Sequence, residues 1–441
     1  MPRGISLGLP LSRGAAPPPA WLFAEHALGG APPSLFADFG RDIYGIGGVQ
    51  KSFSDLFTVS SVAKAVVGPD RSLVTVPANT PAFDYSMGQR RLLLEGATTN
   101  LCLRSQDLSH ASWSNRAGSP NVTVNNSGAP DGTSTLNMIQ RTVTTATYVG
   151  QNFVKAASSI TYTLSFFAKQ GAVGRGIPVR IQATYPNRVD TNFNLVTGAV
   201  GSTTALGSGF TALGATITQL TPGIYYCTVT VTSDTTTGMS IFIGVKQDAT
   251  SAAVDGTDTS SNADVYVWGF QLEQAVGASS YVATAGAQVT RVTDLCAFTP
   301  AANAAIPAAT ASVAYRANVR SPVLGQQLVG IASNNALLRA DGGNAGIVRL
   351  GGSSGGNLGS ILGLPGEVGI AAGWAAGTRS LCVNGNAAQV DALTMDQTMP
   401  PFFLGQSAGM TPSAVHFLGA LVAWPVKGSN GALQSQARVY S

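Results

Sequence analysis

A two-residue alternation of apolar and hydroxyl-bearing side chains runs through the middle of this chain. In TYTLSFFAKQ, Tyr162, Leu164, Phe166 and Ala168 alternate with Thr161, Thr163, Ser165 and Phe167, which is the period of a half-buried strand. The pattern returns in IYYCTVTVTS, where Tyr225, Cys227, Val229 and Val231 share a face, and in MSIFIGV, where Met239, Ile241, Ile243 and Val245 do. Turn-forming clusters such as NNSGAPDGT and TGAVGSTTALGSG separate these runs. Short strands punctuated in this way predict an all-β fold of antiparallel sandwiches or jelly rolls.

At 441 residues the chain exceeds the usual size of one core, so two or three domains are expected. Only 10% of it is charged while 44% is apolar, and 17 Phe, 11 Tyr and 5 Trp sit within the alternating runs, a composition that folds. The net charge of +4 is spread without a run of Lys or Arg, so no nucleic-acid partner is expected. Cys102, Cys227, Cys296 and Cys382 never form a Cys-x-x-Cys pair. They read as small core hydrophobes of a protein assembled in a reducing cytoplasm, with neither a disulfide framework nor a zinc site. Prolines and arginines interrupt the N-terminus where a signal peptide needs an apolar run, and no later stretch offers about 20 apolar residues, so no membrane insertion is expected.

Three regions are expected. Residues 1–90 begin with five prolines in the first 20 positions and read as a partly extended N-terminal attachment region or anchor. Residues 91–296 carry the strong alternation and form the first sandwich. Residues 297–441, richer in Ala and Gly, form a second β-domain, in which Asn384-Gly385 between RSLCV and NAAQV predicts a type I′ hairpin turn. The tail segment GALQSQARV predicts a turn or two of helix.

The strings LLLEGATTNLCLRSQDLSHASW, APDGTSTLNMI, NLVTGAVGS, GIYYCTVTVT and VWGFQLEQAVGASSYVATAGAQVTR resemble, in order, motifs of phage head-spike and tail-fibre proteins. The resemblance covers about 200 residues and implies a carbohydrate-binding-like jelly roll. LCVNGNAA, FFLGQS and HFLGALVAWPV are similar to late elements of the concanavalin or laminin-G-like sandwich that often follows it. What the likeness implies is a protein on the exterior of a tailed phage or gene transfer particle. It would meet other virion proteins through its N-terminal region and bind host surface polysaccharide, as a homo-oligomer with a trimer favoured. Two other readings stay open: a purely structural virion component, such as a spike base, collar or decoration protein, and a capsule depolymerase.

Sugar recognition needs an aromatic face for the apolar side of a pyranose, with amides or guanidinium groups for its hydroxyls. Trp113, Tyr148, Tyr185, Asn187 and Arg188 are the candidates, and TYPNRVDTN joins an aromatic to a polar loop between two expected strands. Trp268, and with it Trp113, also fits a core position. VDGTDTSSNAD brings Asp255, Asp258 and Asp264 together with hydroxyl and carbonyl oxygens, a chemistry suited to a structural Ca²⁺ although the spacing is not that of an EF-hand.

No catalytic set is expected. Gly351–Gly355 and Gly405–Gly409 fit Gly-x-Ser-x-Gly, with His416 downstream, but no Asp or Glu follows Ser407 and the following segment is strand-like. Glycan cleavage needs two carboxyl groups about one scissile bond. Glu95 and Glu273 lie in the two strings that frame the first sandwich and read as residues that hold loop backbone.

Overall fold

The computed structural model describes residues 26–320, 326–331, 336–341, 346–350, 358–362, 366–395, 401–405 and 415–438. Antiparallel sheets build the protein as two packed β-sandwiches. The Pro-rich opening segment lies outside the described residues.

The first sandwich stacks two six-stranded sheets, and the chain crosses between them repeatedly as in a jelly roll. One sheet places Asn121–Asn126, Leu136–Gln140, Asp264–Glu273, Thr161–Gln170, Ile224–Thr232 and Thr211–Thr221 side by side. The other runs Asn115–Ala117, Tyr148–Val154, Gly238–Gly244, Gly176–Gln182, Arg188–Asn194 and Ala199–Leu206. The apolar sets read from the sequence meet between them: Tyr162, Leu164, Phe166, Ala168, Cys227, Val229, Val231, Met239, Ile241, Ile243 and Val245 share one core. Phe166 stacks on Phe270 at 5.2 Å within it. On the opposite face threonines pair across strands, Thr163 with Thr230 at 2.9 Å and Thr216 with Thr228 at 2.7 Å, each a modest favourable contact.

In the second sandwich, residues 35–38, 57–60 and 91–95 are built into the sheets rather than set apart from them. Leu35–Asp38 pairs with Val415–Trp424 in the register Leu35 to Ala423, and Arg91–Glu95 pairs with the first half of that same strand. Phe57–Ser60 joins the facing sheet against Leu295–Phe298. Leu35, Phe39, Phe57, Leu92 and Leu94 therefore sit in one core with Tyr315, Trp374, Phe402 and Leu421. This corrects a division at residues 90 and 296. The apolar faces of these early strands are too small to be buried alone and are completed by strands from distant parts of the chain.

The first sandwich is thus an insertion within the second. The chain leaves through Thr98–Asn100 and returns through Val289–Arg291, which pair with each other as a two-stranded neck. Between the sandwiches lies the hairpin Lys64–Val67 with Leu73–Val76. Its alternation splits between two partners. Val66 packs with Ala82, Leu93, Val415 and Phe417 of the second sandwich, whereas Val67 and Leu73 pack with Phe167, Leu220 and Trp268 of the first. The expected Asn384-Gly385 turn forms, with φ of 51° and 75° and the Asn386 amide donating to Val383 O at 2.9 Å. The tail helix spans Asn430–Gln436 and is capped by Ser429.

Candidate functional site

The outer face of the six-stranded sheet that carries Arg188–Asn194 holds four of the five sugar-binding candidates or their loop. Val149, Ile241, Ile181 and Val189 point into the core, so by the two-residue period Asn152, Ser240, Gln182 and Arg188 point out. Their strands are neighbours, and the register places Asn152 opposite Ser240, Ser240 opposite Gln182, and Gln182 opposite Arg188. The result is one row of amide, hydroxyl, amide and guanidinium about 14 Å long, taking three inter-strand steps. Ser240 Oγ donates to Asn152 Oδ1 at 2.7 Å, and Asn115 Nδ2 donates to the same oxygen at 3.0 Å.

Tyr185 closes the row. It stands on the loop between Gly176–Gln182 and Arg188–Asn194 with 65% of its surface exposed. The Arg188 guanidinium lies 4.9 Å from the centre of its ring, a cation–π contact that steadies the ring. Arg188 is itself held, since its Nε donates to Asp190 Oδ2 at 2.9 Å. Asp190 also receives two bonds from Arg180, which forks a second time onto Asp255 at 2.8 and 3.0 Å. Asn187 spends its side-chain oxygen on the Ser208 amide at 2.8 Å and so fixes the loop. An exposed aromatic plane beside a fixed polar row suits a polyhydroxylated ligand.

Tyr148 shares this face at its far end, half-buried and edge-on to Phe242 at 5.0 Å. Trp113 does not belong to the site. It is fully buried, packs on Phe270 at 5.0 Å and donates its Nε1–H to Arg104 O at 3.1 Å. Its indole therefore has no surface to offer a sugar.

The three aspartates expected to share a Ca²⁺ do not converge, and among the described residues no group of three acidic, His or Cys side chains could hold a metal. Each carboxylate has a protein partner. Asp255 binds Arg180, Asp258 accepts from the Gln247 amide at 2.7 Å, and Asp264 accepts from the amides of Ala172 and Val173 at 3.0 and 2.8 Å. The loop carbonyls are taken as well: the Lys246 ammonium is bonded by Gly256 O and Thr257 O, and Arg141 by Val245 O and Ser260 O. Cationic side chains of the protein stand where an oxygen-seeking ion was expected.

The framing glutamates hold backbone. Glu273 accepts from Thr98 Oγ1 at 2.7 Å and from the Ser279 amide at 3.0 Å. Glu95 accepts from the Ser280 amide at 2.7 Å and lies 3.4 Å from Lys64 Nζ and 3.2 Å from Arg291 Nη1. Burial pushes its carboxyl up, but Arg291, Lys64 and Ser280 outweigh that and leave it below the usual range. Asp294 shares Lys64, and there burial prevails and raises the carboxyl. Ser353, Ser354 and Ser407 of the two Gly-x-Ser-x-Gly strings lie outside the described residues. His416 is buried, with its pKa lowered to about 4 by desolvation.

A broader cleft of about 790 Å³ opens on the second sandwich beside Arg41, Arg90, Arg91, Arg316, Asp38 and Glu367. Its charges largely answer one another, with Arg91 on Glu367 at 3.0 Å and Arg90 on Asp42 at 2.8 Å.

No family model matches the chain, and no curated protein matches it. Among solved structures, the chain is similar to domains LG4–5 of the mouse laminin α1 chain at 10% identity and a TM-score of 0.20, over 68% of this chain and 92% of that one. A score of that size carries no shared fold or ligand.

Proposed function

We propose that the chain is a fibre or spike protein of a tailed phage or phage-like particle, whose inserted sandwich binds host surface polysaccharide for adsorption. The observation that carries the binding reading is the exposed Tyr185 ring, braced by Arg188 at the end of the Asn152–Ser240–Gln182–Arg188 row. The virion setting rests on the resemblance of the framing and strand motifs. In this reading the chain binds without cleaving. The second sandwich and the segment before it serve attachment to other virion proteins, and several copies add avidity to weak sites.

The test uses the full chain on intact cells and on isolated surface polysaccharide, with released reducing ends assayed in the same tubes. Saturable binding without release, lost in Tyr185→Ala, supports the reading. Release of oligosaccharide replaces it with a depolymerase, and neither binding nor release replaces it with a structural virion part.

A further inference from the structure

The seam between the two sandwiches contains a crevice of about 100 Å³, lined by Asp84, Ser86, Tyr226, Ser280, Arg320 and Phe417 among others. Its walls come from both sandwiches and from the wedged hairpin. Clefts between packed units are preferred ligand sites. What distinguishes this one is the state of Arg320.

Arg320 follows the strand Ala311–Val319 and its backbone N–H is bonded to Val415 O at 3.0 Å. Its guanidinium lies 4.7 Å from the Phe417 ring centre and donates to Met87 Sδ. No carboxylate among the described residues forms an ion pair with it. Asp84 and Glu367 act on it only through space, and both are engaged elsewhere. Asp84 accepts from the amides of Val67 and Ser86 at 2.8 and 2.7 Å, and Glu367 takes Arg91. The fully buried cations of the seam, by contrast, are answered: Lys64 by Glu95 and Asp294, and Arg291 by Glu95. A partly buried guanidinium left with a thioether and a ring gains from an anion that completes it. Ser86 Oγ is buried on the same crevice, beside the Asp84 carboxylate.

We propose that this crevice binds one oxyanionic group, a carboxylate or a phosphate, with Arg320 as its counter-charge and Ser86 Oγ as a further donor. The volume admits the charged group itself, and the open side leaves room for what carries it. An anion seated there touches both sandwiches at once. The inference is independent of the glycan reading, whose residues lie on the far face of the other sheet.

The experiment titrates inorganic phosphate, and separately glucuronate, into the full chain at fixed pH and ionic strength with chloride as the control. Binding is read by calorimetry and as a rise in unfolding temperature. Saturable binding of one anion per chain, weakened at least tenfold in Arg320→Met and retained in Tyr185→Ala, is the expected result. Equal responses of wild type and Arg320→Met, or no response beyond chloride in either arm, overturn it. Should Arg320→Met fail to fold, Ser86→Ala and Arg320→Lys are titrated instead. A several-fold loss in both supports the site, and unchanged affinity in both overturns it. Phosphate binding alone assigns the site to a phosphate source, and glucuronate binding alone assigns it to an acidic sugar.

Discussion

Thr98 stands opposite Arg291 in a two-stranded neck, so the residues that open and close the inserted sandwich are neighbours in space. Just behind them the Asp294 amide donates to Glu95 O at 2.9 Å, and Lys64 Nζ reaches both Glu95 and Asp294. The junction is therefore a buried cluster of two carboxylates and two cations rather than a flexible linker.

Removing one cation from that cluster should be costly. Lys64→Met leaves Asp294 and Glu95 facing each other with only Arg291 to offset them, and the expected loss is about 3–5 kcal/mol. Urea unfolding followed by tryptophan fluorescence measures it. Replacing all four charges of the cluster, Lys64, Arg291, Glu95 and Asp294, by apolar residues should recover most of the loss, since desolvation of the charges is then avoided.

Acid should weaken the second sandwich through His416. Its folded pKa of about 4 lies below the unfolded value of 6.5. Between those values the unfolded chain binds a proton that the folded chain refuses, so stability is full above pH 6.5 and falls as the pH drops towards 4. The total is roughly 3 kcal/mol at 1.36 kcal/mol per unit. Unfolding free energies of wild type and His416→Phe from pH 7.5 to 4 should differ in slope across this window, with the variant flatter. Identical slopes would assign the acid response to the carboxylates.

Tyr185 and Trp113 should separate binding from folding. Tyr185→Ala is expected to lower polysaccharide affinity about tenfold, the worth of one aromatic contact, with little change in unfolding temperature. Trp113→Ala empties a core position and should cost about 3–5 kcal/mol. Paired calorimetry and binding isotherms on the two variants check both. Glutamine at position 188 should weaken binding as well, because Tyr185 then loses the cation that braces it.

Chelation is expected to leave the unfolding temperature unchanged, because Lys246, Arg141 and Arg180 already occupy the oxygen-rich loop. Lys246→Met, by contrast, should lower it by stripping Gly256 O and Thr257 O of their partner. Differential scanning calorimetry with and without EDTA decides; a drop on chelation in the wild type would place a metal elsewhere in the chain.

The strand faces were legible because burial imposes a period of two on each segment locally. Leu164, Val229 and Ile241 announce their sheet sides without reference to one another. The partners of Leu35 and Phe57 were not legible, since pairing with Ala423 and Phe298 is set by contacts between distant parts of the chain. The same limit governs the candidate site. Tyr185, Asn187 and Arg188 stood together in one string, whereas Asn152, Gln182 and Ser240 join them only through strand order. Parity within YVGQNFV and GMSIFIG marks Asn152 and Ser240 as outward, but says nothing of what lies beside them. The aspartates misled because an oxygen-rich loop reads alike whether a calcium ion or a distant arginine completes it.

The neck also decides how this molecule would behave under tension. A pull applied to the inserted sandwich enters through Thr98–Asn100 and Val289–Arg291 together, so the load divides between two adjacent strands. Beyond them, the first of those strands leads into Arg91–Glu95 and the second into Leu295–Phe298, one in each sheet of the second sandwich. Neither strand can be peeled away by fraying from an end of the chain, because each is anchored mid-chain on both sides. A pull on the inserted sandwich therefore reaches both sheets of the second sandwich at once.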